Sequence, residues 1–445
     1  MQRALSIDQS PPLALTLPFF LNIPLFSLVA ALLAIGAGPE LFSSRWHPAA
    51  LALTHAWTLG VLGSAMLGSL LHILAVAGNV CVSLSRRSGL VLWSLLTAGA
   101  LLLMAGFVAW QPWAWLAAAL SLGIALPAYL ILVSAALWRQ RRTVLPGIRE
   151  ILVPVRLALV FLALTVLSGL AMLLALGTDQ AVPDLLDTHV MAGLAGWSGL
   201  LLMAMSFQLL PIFQVTELYP RSLVRWLPWV VTAMLIARWA IASLPGPWQP
   251  LRELVDYLIL LAFALWGVLT GSRLWRRKRA QADISTLFWY SCLASLLACV
   301  PLLFWMNTAA AQGAALGMGL LVIVGALGSV VIGMLYTIVP FLLWREAQQA
   351  VPFNVEEPER TREMLRLIPK TGQYIPVRTA RLHWVVHSVS VLACAGATLG
   401  VNRLEAVAAP LLLLAACLLG WNLGVGWRRY QQCRRALALY QRATG

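Results

Sequence analysis

The chain has 445 residues, 61% of them hydrophobic and only 11% charged, where a soluble domain carries about 25%. That balance excludes a soluble globular enzyme. The many apolar runs of roughly 18 residues or more define a polytopic membrane protein. They lack the alternation of a barrel strand, so helices are the way to satisfy the backbone in lipid. The net charge is +15, nearly all of it arginine, with lysine only at Lys278 and Lys370. It sits in short loops between apolar runs, so it reads as topology and not as a nucleic-acid surface.

In chain order the apolar runs predict twelve spans, at 13–37, 49–77, 89–110, 113–137, 152–177, 186–214, 223–244, 252–273, 284–306, 313–343, 381–400 and 405–427. The first is too long for a cleaved leader and lacks a clear cleavage site, so it counts as a span. The whole chain, 1–445, reads as a single transmembrane domain. Its one long polar connection, 345–380, holds "NVEEPERTREMLRLIPKTGQYIPVRTAR", in which "REMLRLI" suits a short surface helix. Loop charge alternates. "SRR" (85–87), "RQRR" (139–142), "RLWRRKR" (273–279) and "RRYQQCRR" (428–435) are basic, whereas connections such as "TDQAVPDLLD" (178–187) carry acid. The positive-inside rule then predicts a bacterial inner-membrane protein with both termini and the 345–380 loop in the cytoplasm. The six cysteines form no CxxC pair and read as buried thiols. The twenty tryptophans cluster at span ends, as interface anchors do.

Spans 2, 6 and 10 share one ungapped pattern, G-x2-G-x4-[GA]-x3-[HQT]-x2-[AP]. It reads Gly60, Gly63, Gly68, His72, Ala75; then Gly196, Gly199, Ala204, Gln208, Pro211; then Gly325, Gly328, Gly333, Thr337, Pro340. The offsets are 136 and 129 residues, four spans each time. Small residues let helix backbones approach in lipid, so the pattern predicts three inner helices in a pseudo-threefold bundle, three sets of four.

Twelve helices in three arcs, cytoplasmic termini and a histidine near the outer end of span 2 resemble the catalytic subunit of haem-copper oxidases. "THAWTLGVLGSAMLGSLLHILAV" and "THVMAGLAGWSGLLLMAMSFQLLPIF" look like its divergent branch, which includes the NnrS-type haem and copper membrane proteins. The resemblance implies a haem-copper-oxidase-like bundle, with low-spin haem on His55 and a metal-binding role for His189. The sequence departs from that family at two spans. Span 7, "LVRWLPWVVTAMLIARWAIASL", has no histidine pair and span 10 has no histidine. Copper is therefore not supported by the histidine pattern, and oxygen or nitric oxide reduction at the family's usual centre is not expected.

A histidine in hydrocarbon needs a hydrogen bond or a ligand. His47 is a loop residue. His55 and His189 fall near the expected outer face; His72, His383 and His387 fall near the inner one. Two axial ligands from separate helices hold a six-coordinate haem. The reading is one or two b-type haems, with His55 and His189 outside and His72 and His387 inside. Met318 is a reserve second ligand for the haem of His55, and His383 with His387, at i and i+4, can also clamp a metal ion. Arg238, inside span 7, is a candidate partner of a haem propionate, or else of Asp256. Arg403, in the outer loop after span 11, is a second propionate candidate by the same resemblance. Phosphate-loop, zinc-protease and nucleophile-elbow motifs are absent. The expected function is electron transfer between a periplasmic cytochrome c or a quinol and an acceptor, with partner subunits allowed. The alternatives are a divergent terminal oxidase or nitric-oxide-handling protein, and a cofactor-free transporter. Buried carboxylates are scarce, which argues against proton pumping.

Overall fold

The computed structural model describes residues 9–142, 146–279, 281–306, 313–352 and 358–444. Among them every regular element is helical. Twelve long helices are α1 (Leu13–Ala37), α2 (Pro48–Val76), α3 (Arg86–Ala109), α4 (Pro112–Arg139), α5 (Pro146–Gly177), α6 (Leu186–Phe213), α7 (Arg221–Ala242), α8 (Gln249–Trp275), α9 (Ile284–Met306), α10 (Ala314–Gln349), α11 (Val377–Thr398) and α12 (Leu404–Thr444). Eleven are long and apolar enough to cross a membrane. The remaining one, α11, has 22 residues, but Arg378, Arg381, His383 and His387 dilute its first half. The chain is a multi-pass helical membrane protein.

Nine helices close a ring by successive contacts, in the order α1, α3, α4, α5, α7, α8, α9, α11, α12 and back to α1. The other three, α2, α6 and α10, stand inside it. Their apolar stretches are 83%, 61% and 72% buried, against 28–50% for the other spanning helices. These are the three helices of the glycine pattern.

Each inner helix also shares a local feature that propensity does not announce. Its backbone widens into eight residues of π-helix, at Ala56–Gly63, Ala192–Gly199 and Leu321–Gly328. All three stretches end on the second glycine of the pattern. There the carbonyl five residues back comes close. A Cβ on Gly63, Gly199 or Gly328 would stand 3.0, 3.2 or 3.1 Å from the oxygen of Thr58, Leu194 or Ile323. The first glycine of each pattern admits a side chain from the helix of the preceding arc position. A Cβ on Gly60 would meet Phe26 of α1 at 2.1 Å, on Gly196 Phe161 of α5 at 2.4 Å, and on Gly325 Ser295 of α9 at 2.5 Å. Gly328 faces Trp57 of α2, at 3.0 Å, so inner helices also meet one another.

The last helix is 41 residues long, about 60 Å at 1.5 Å per residue, or twice a hydrocarbon core of about 30 Å. The sequence reading ended this span at 427. The helix runs on because nothing from 428 to 444 is glycine or proline. The 345–380 connection folds onto this projection, apart from 353–357, which lie outside the described residues. Its surface helix occupies Pro358–Arg366, one turn before the "REMLRLI" expectation. Met364, Ile368 and Tyr374 are buried, Tyr440 donates to Glu363 and Arg429 donates to the Gln373 carbonyl.

Adding a methyl group at Gly60 forces Phe26 aside, an overpacking cost of about 1–3 kcal/mol. At Gly420, where nothing lies within 4 Å, the same change gains up to about 1 kcal/mol of helix propensity. Thermal unfolding in detergent is expected to move down for Gly60→Ala and to stay level or rise for Gly420→Ala.

Candidate functional site

His55 closes the α-helical first turns of α2, and the π-helical stretch begins at the next residue. His189 lies in the first turn of α6, three residues before its π-helical stretch. The two rings are neighbours, with centroids 6.4 Å apart and planes at 31°. His55 Nδ1 lies 2.8 Å from the Leu51 carbonyl oxygen, and His189 Nδ1 3.0 Å from the Thr165 carbonyl oxygen on α5. A carbonyl only accepts, so both Nδ1 atoms carry the proton. In each neutral ring the lone pair is therefore on Nε2, the tautomer that ligates a metal.

The walls of this site come from α3, α4 and α5. Phe107 stacks on His55 at 5.3 Å and 26°, and packs edge-on against Trp115, which meets Trp110. That row of aromatic rings ends at the surface, where Trp110 is 59% exposed. Gly169 of α5 makes room for His189: a Cβ there would lie 2.7 Å from Cε1. Ser168 Oγ adds a longer contact to His189 Nδ1, at 3.4 Å.

Two residues before His189 stands Asp187, the hub of a charge network. Arg238 of α7 is 5% exposed. It donates through Nη1 and Nη2 to Asp187, the latter at 2.7 Å, and through Nε to Asp256 of α8. Arg252 reaches the same Asp187 at 2.8 Å. Arg238 is thus committed to two carboxylates, which leaves no fork for a propionate; the Asp256 partner foreseen from sequence is present, and Asp187 was missed. The signal for Asp187 lay in its place, in the first turn of a transmembrane helix, but its partner sits 51 positions away.

The other candidates fall elsewhere. His72 is buried near the end of α2 and shares Ser10 Oγ, at 3.2 Å from Nδ1, with the segment that leads into α1. Arg345 donates to the Ser10 carbonyl oxygen, at 3.2 Å. His387 bonds Ser329 of α10, Nε2 to Oγ 2.9 Å, and His383 bonds Tyr336, Nδ1 to Oη 2.7 Å. The structure does not bring His72 and His387 together. The reason is height: α11 begins at Val377, not at 381, so His387 is ten residues, about 15 Å, along it. His72 is four residues, about 6 Å, from the same face. Met318 is half-buried on α10, and the ring opposite His55 is His189. Arg403 is exposed in the turn before α12, with φ 67°. His47 caps α2, accepting from the Ala49 N–H at 3.3 Å.

Among the described residues no three His, Cys, Asp or Glu side chains group as a metal-holding set. The chain matches no protein-family model and no curated protein.

Removing Arg238 takes away the cation that Asp187 and Asp256 share, and leaves Arg252 as the remaining partner of Asp187. Breaking a buried pair costs about 3–5 kcal/mol; with Asp187 39% exposed, the expected loss for Arg238→Met is smaller, about 2 kcal/mol. Chemical denaturation is expected to show that loss, and Asp187→Asn with Asp256→Asn in the same chain to recover part of it.

Proposed function

We propose that the protein binds a b-type haem between His55 and His189 and serves as a redox protein of the bacterial inner membrane. The supporting observation is the ring pair itself. Two imidazoles on opposite sides of one iron put their centroids about 6.3 Å apart, from a metal–nitrogen bond of about 2 Å and about 1.2 Å more to each ring centre. The observed 6.4 Å fits. So does the chemistry of the donors, since both Nδ1–H groups are already spent on carbonyls and both Nε2 lone pairs remain for a ligand. The angle between the two planes, 31°, would be left free by rotation about a metal–nitrogen bond.

When bound, the group supplies reversible one-electron exchange at low-spin iron. The residues of this chain do the holding. Leu51 and Thr165 orient the two rings, Phe107 packs against one and Gly169 admits the other. The Asp187–Arg238–Asp256 network fixes the start of α6, and with it His189. In the orientation that loop charge predicts, this site lies at the periplasmic side, within reach of a cytochrome c or, along the membrane edge, of a quinol. Cytoplasmic termini and a haem-copper-oxidase-like ancestry belong to the same reading. Only one haem is proposed, because His72 and His387 have separate partners.

The reduced-minus-oxidised absorption spectrum of the purified protein tests this. One low-spin b-type α band, with one haem per chain by the pyridine assay, is expected. His55→Ala and His189→Ala are each expected to abolish the band, and His72→Ala to retain it. A folded protein without haem, or an unchanged band in both outer variants, overturns the reading.

A further inference from the structure

At the other end of α1 from the His55 turn, a groove of about 430 Å³ opens between the first turns of α1 and the projecting part of α12. Leu13, Ala14 and Leu17 give it one apolar wall, and Trp427 adds an aromatic ring from α12. Arg434 and Arg435, both exposed, form a polar rim with Glu346 from the end of α10. Among the described residues neither arginine has a carboxylate within ion-pairing distance; the ion pairs there belong to other arginines. No side chain caps α1, whose first turn follows Pro12. The Leu13 and Ala14 amides are therefore among the unmatched donors of that terminus, and the helix dipole adds positive potential beside them.

The level of the groove selects the kind of ligand. Trp427 lies 23 residues past Leu404 on α12, about 35 Å along the axis, which is about one hydrocarbon thickness. Arg434 and Arg435 follow two turns later, at the depth of the headgroups. The apolar wall runs on toward the bilayer. Leu21 and Leu25 continue the stripe of Ala14 and Leu17 along α1, and are 52% and 42% exposed. Two turns before Trp427, and so on the same face of α12, Gly420 has nothing within 4 Å of the place of a Cβ. A furrow thus leads from the two arginines toward the lipid-facing side of α1.

We propose that this groove holds an anionic phospholipid, with its phosphodiester against Arg434, Arg435 and the α1 terminus and an acyl chain along Leu17, Leu21 and the gap at Gly420. Charge complementarity names the occupant. Two arginines and Glu346 leave one net positive charge, which one phosphodiester neutralises. Guanidinium forks pair with phosphate oxygens through parallel hydrogen bonds, and arginines at this depth attract anionic lipid. Glu346 opposes a second negative charge, so a singly charged headgroup such as phosphatidylglycerol fits. The ammonium of phosphatidylethanolamine cancels its own phosphate and leaves the net charge of the groove unmet. A soluble anion leaves the apolar wall and the furrow unused. The lipid touches α1, α10 and α12 together, and so ties the projection of α12 to the bundle. The site is independent of the haem proposal, since it shares no side chain with it.

Native mass spectrometry of the full-length protein, released from mixed micelles that hold phosphatidylglycerol and phosphatidylethanolamine in equal amounts, tests it. The wild type is expected to retain one phosphatidylglycerol in preference to phosphatidylethanolamine, a comparison that needs no variant to fold. Arg434→Gln/Arg435→Gln is expected to weaken that retention about 30-fold. Arg86→Gln/Arg87→Gln, which removes the same charge from another exposed basic loop, is expected to leave it unchanged, and so is an excess of inorganic phosphate. Equal retention of the two lipids, equal losses in the two double variants, or displacement by inorganic phosphate overturns the proposal.

Discussion

The close approach of three helix backbones to their neighbours is the constraint on which this bundle depends. In lipid there is no hydrophobic drive between helices, so contact itself must supply the attraction. Gly60, Gly196 and Gly325 each let a side chain of α1, α5 or α9 occupy the place of a Cβ. A few residues on, the backbone of each inner helix has widened to π-helix and ends that stretch on a second glycine. Such widened turns are rare and tend to lie beside functional positions. Here they follow directly on His55 and lie three residues past His189, so they set the rotation of both rings relative to the helices below them. The repeat is therefore more than a packing habit: on α2 and α6 it lies beside the turns from which His55 and His189 project.

A second demand is that polar groups in the bundle find partners within the chain. The protein meets it in four separate ways. Carbonyls on α2 and α5 take the Nδ1 protons of His55 and His189. Paired carboxylates take Arg238. Ser10 ties His72 to the chain ahead of α1. Tyr336 and Ser329 each bond one nitrogen of the α11 histidines. Two of these arrangements close on themselves and are structural. The carbonyls at His55 and His189 engage only Nδ1 of each ring, and that is the place where a bound group is argued.

Much of the architecture was legible before any coordinates. Apolar runs located the twelve long helices, because spanning a bilayer leaves a composition that local sequence cannot hide. The glycine pattern at offsets of 136 and 129 residues singled out α2, α6 and α10, which are the most buried. Pairing His55 with His189 also came from sequence, through level in the membrane and family likeness. What did not come was Asp187 as the partner of Arg238, the Tyr336 and Ser329 bonds, and the height of His387. An error of four residues at the start of α11 moves a side chain by about 6 Å along the axis, enough to place it opposite the wrong partner.

By itself, the sequence determined the class of molecule, the number of helices, the inner three and which residues had to be explained. Those properties follow from transfer free energy and from the size of side chains, both local to a segment. Only the tertiary structure decided who faces whom. Facing depends on the rotation and height of each helix, and these are set jointly by neighbours distant in the chain, by widened turns at Gly63, Gly199 and Gly328, and by helix ends that composition blurs. For that reason His55 and His189 meet, while His72 and His387, equally conspicuous in the chain, do not.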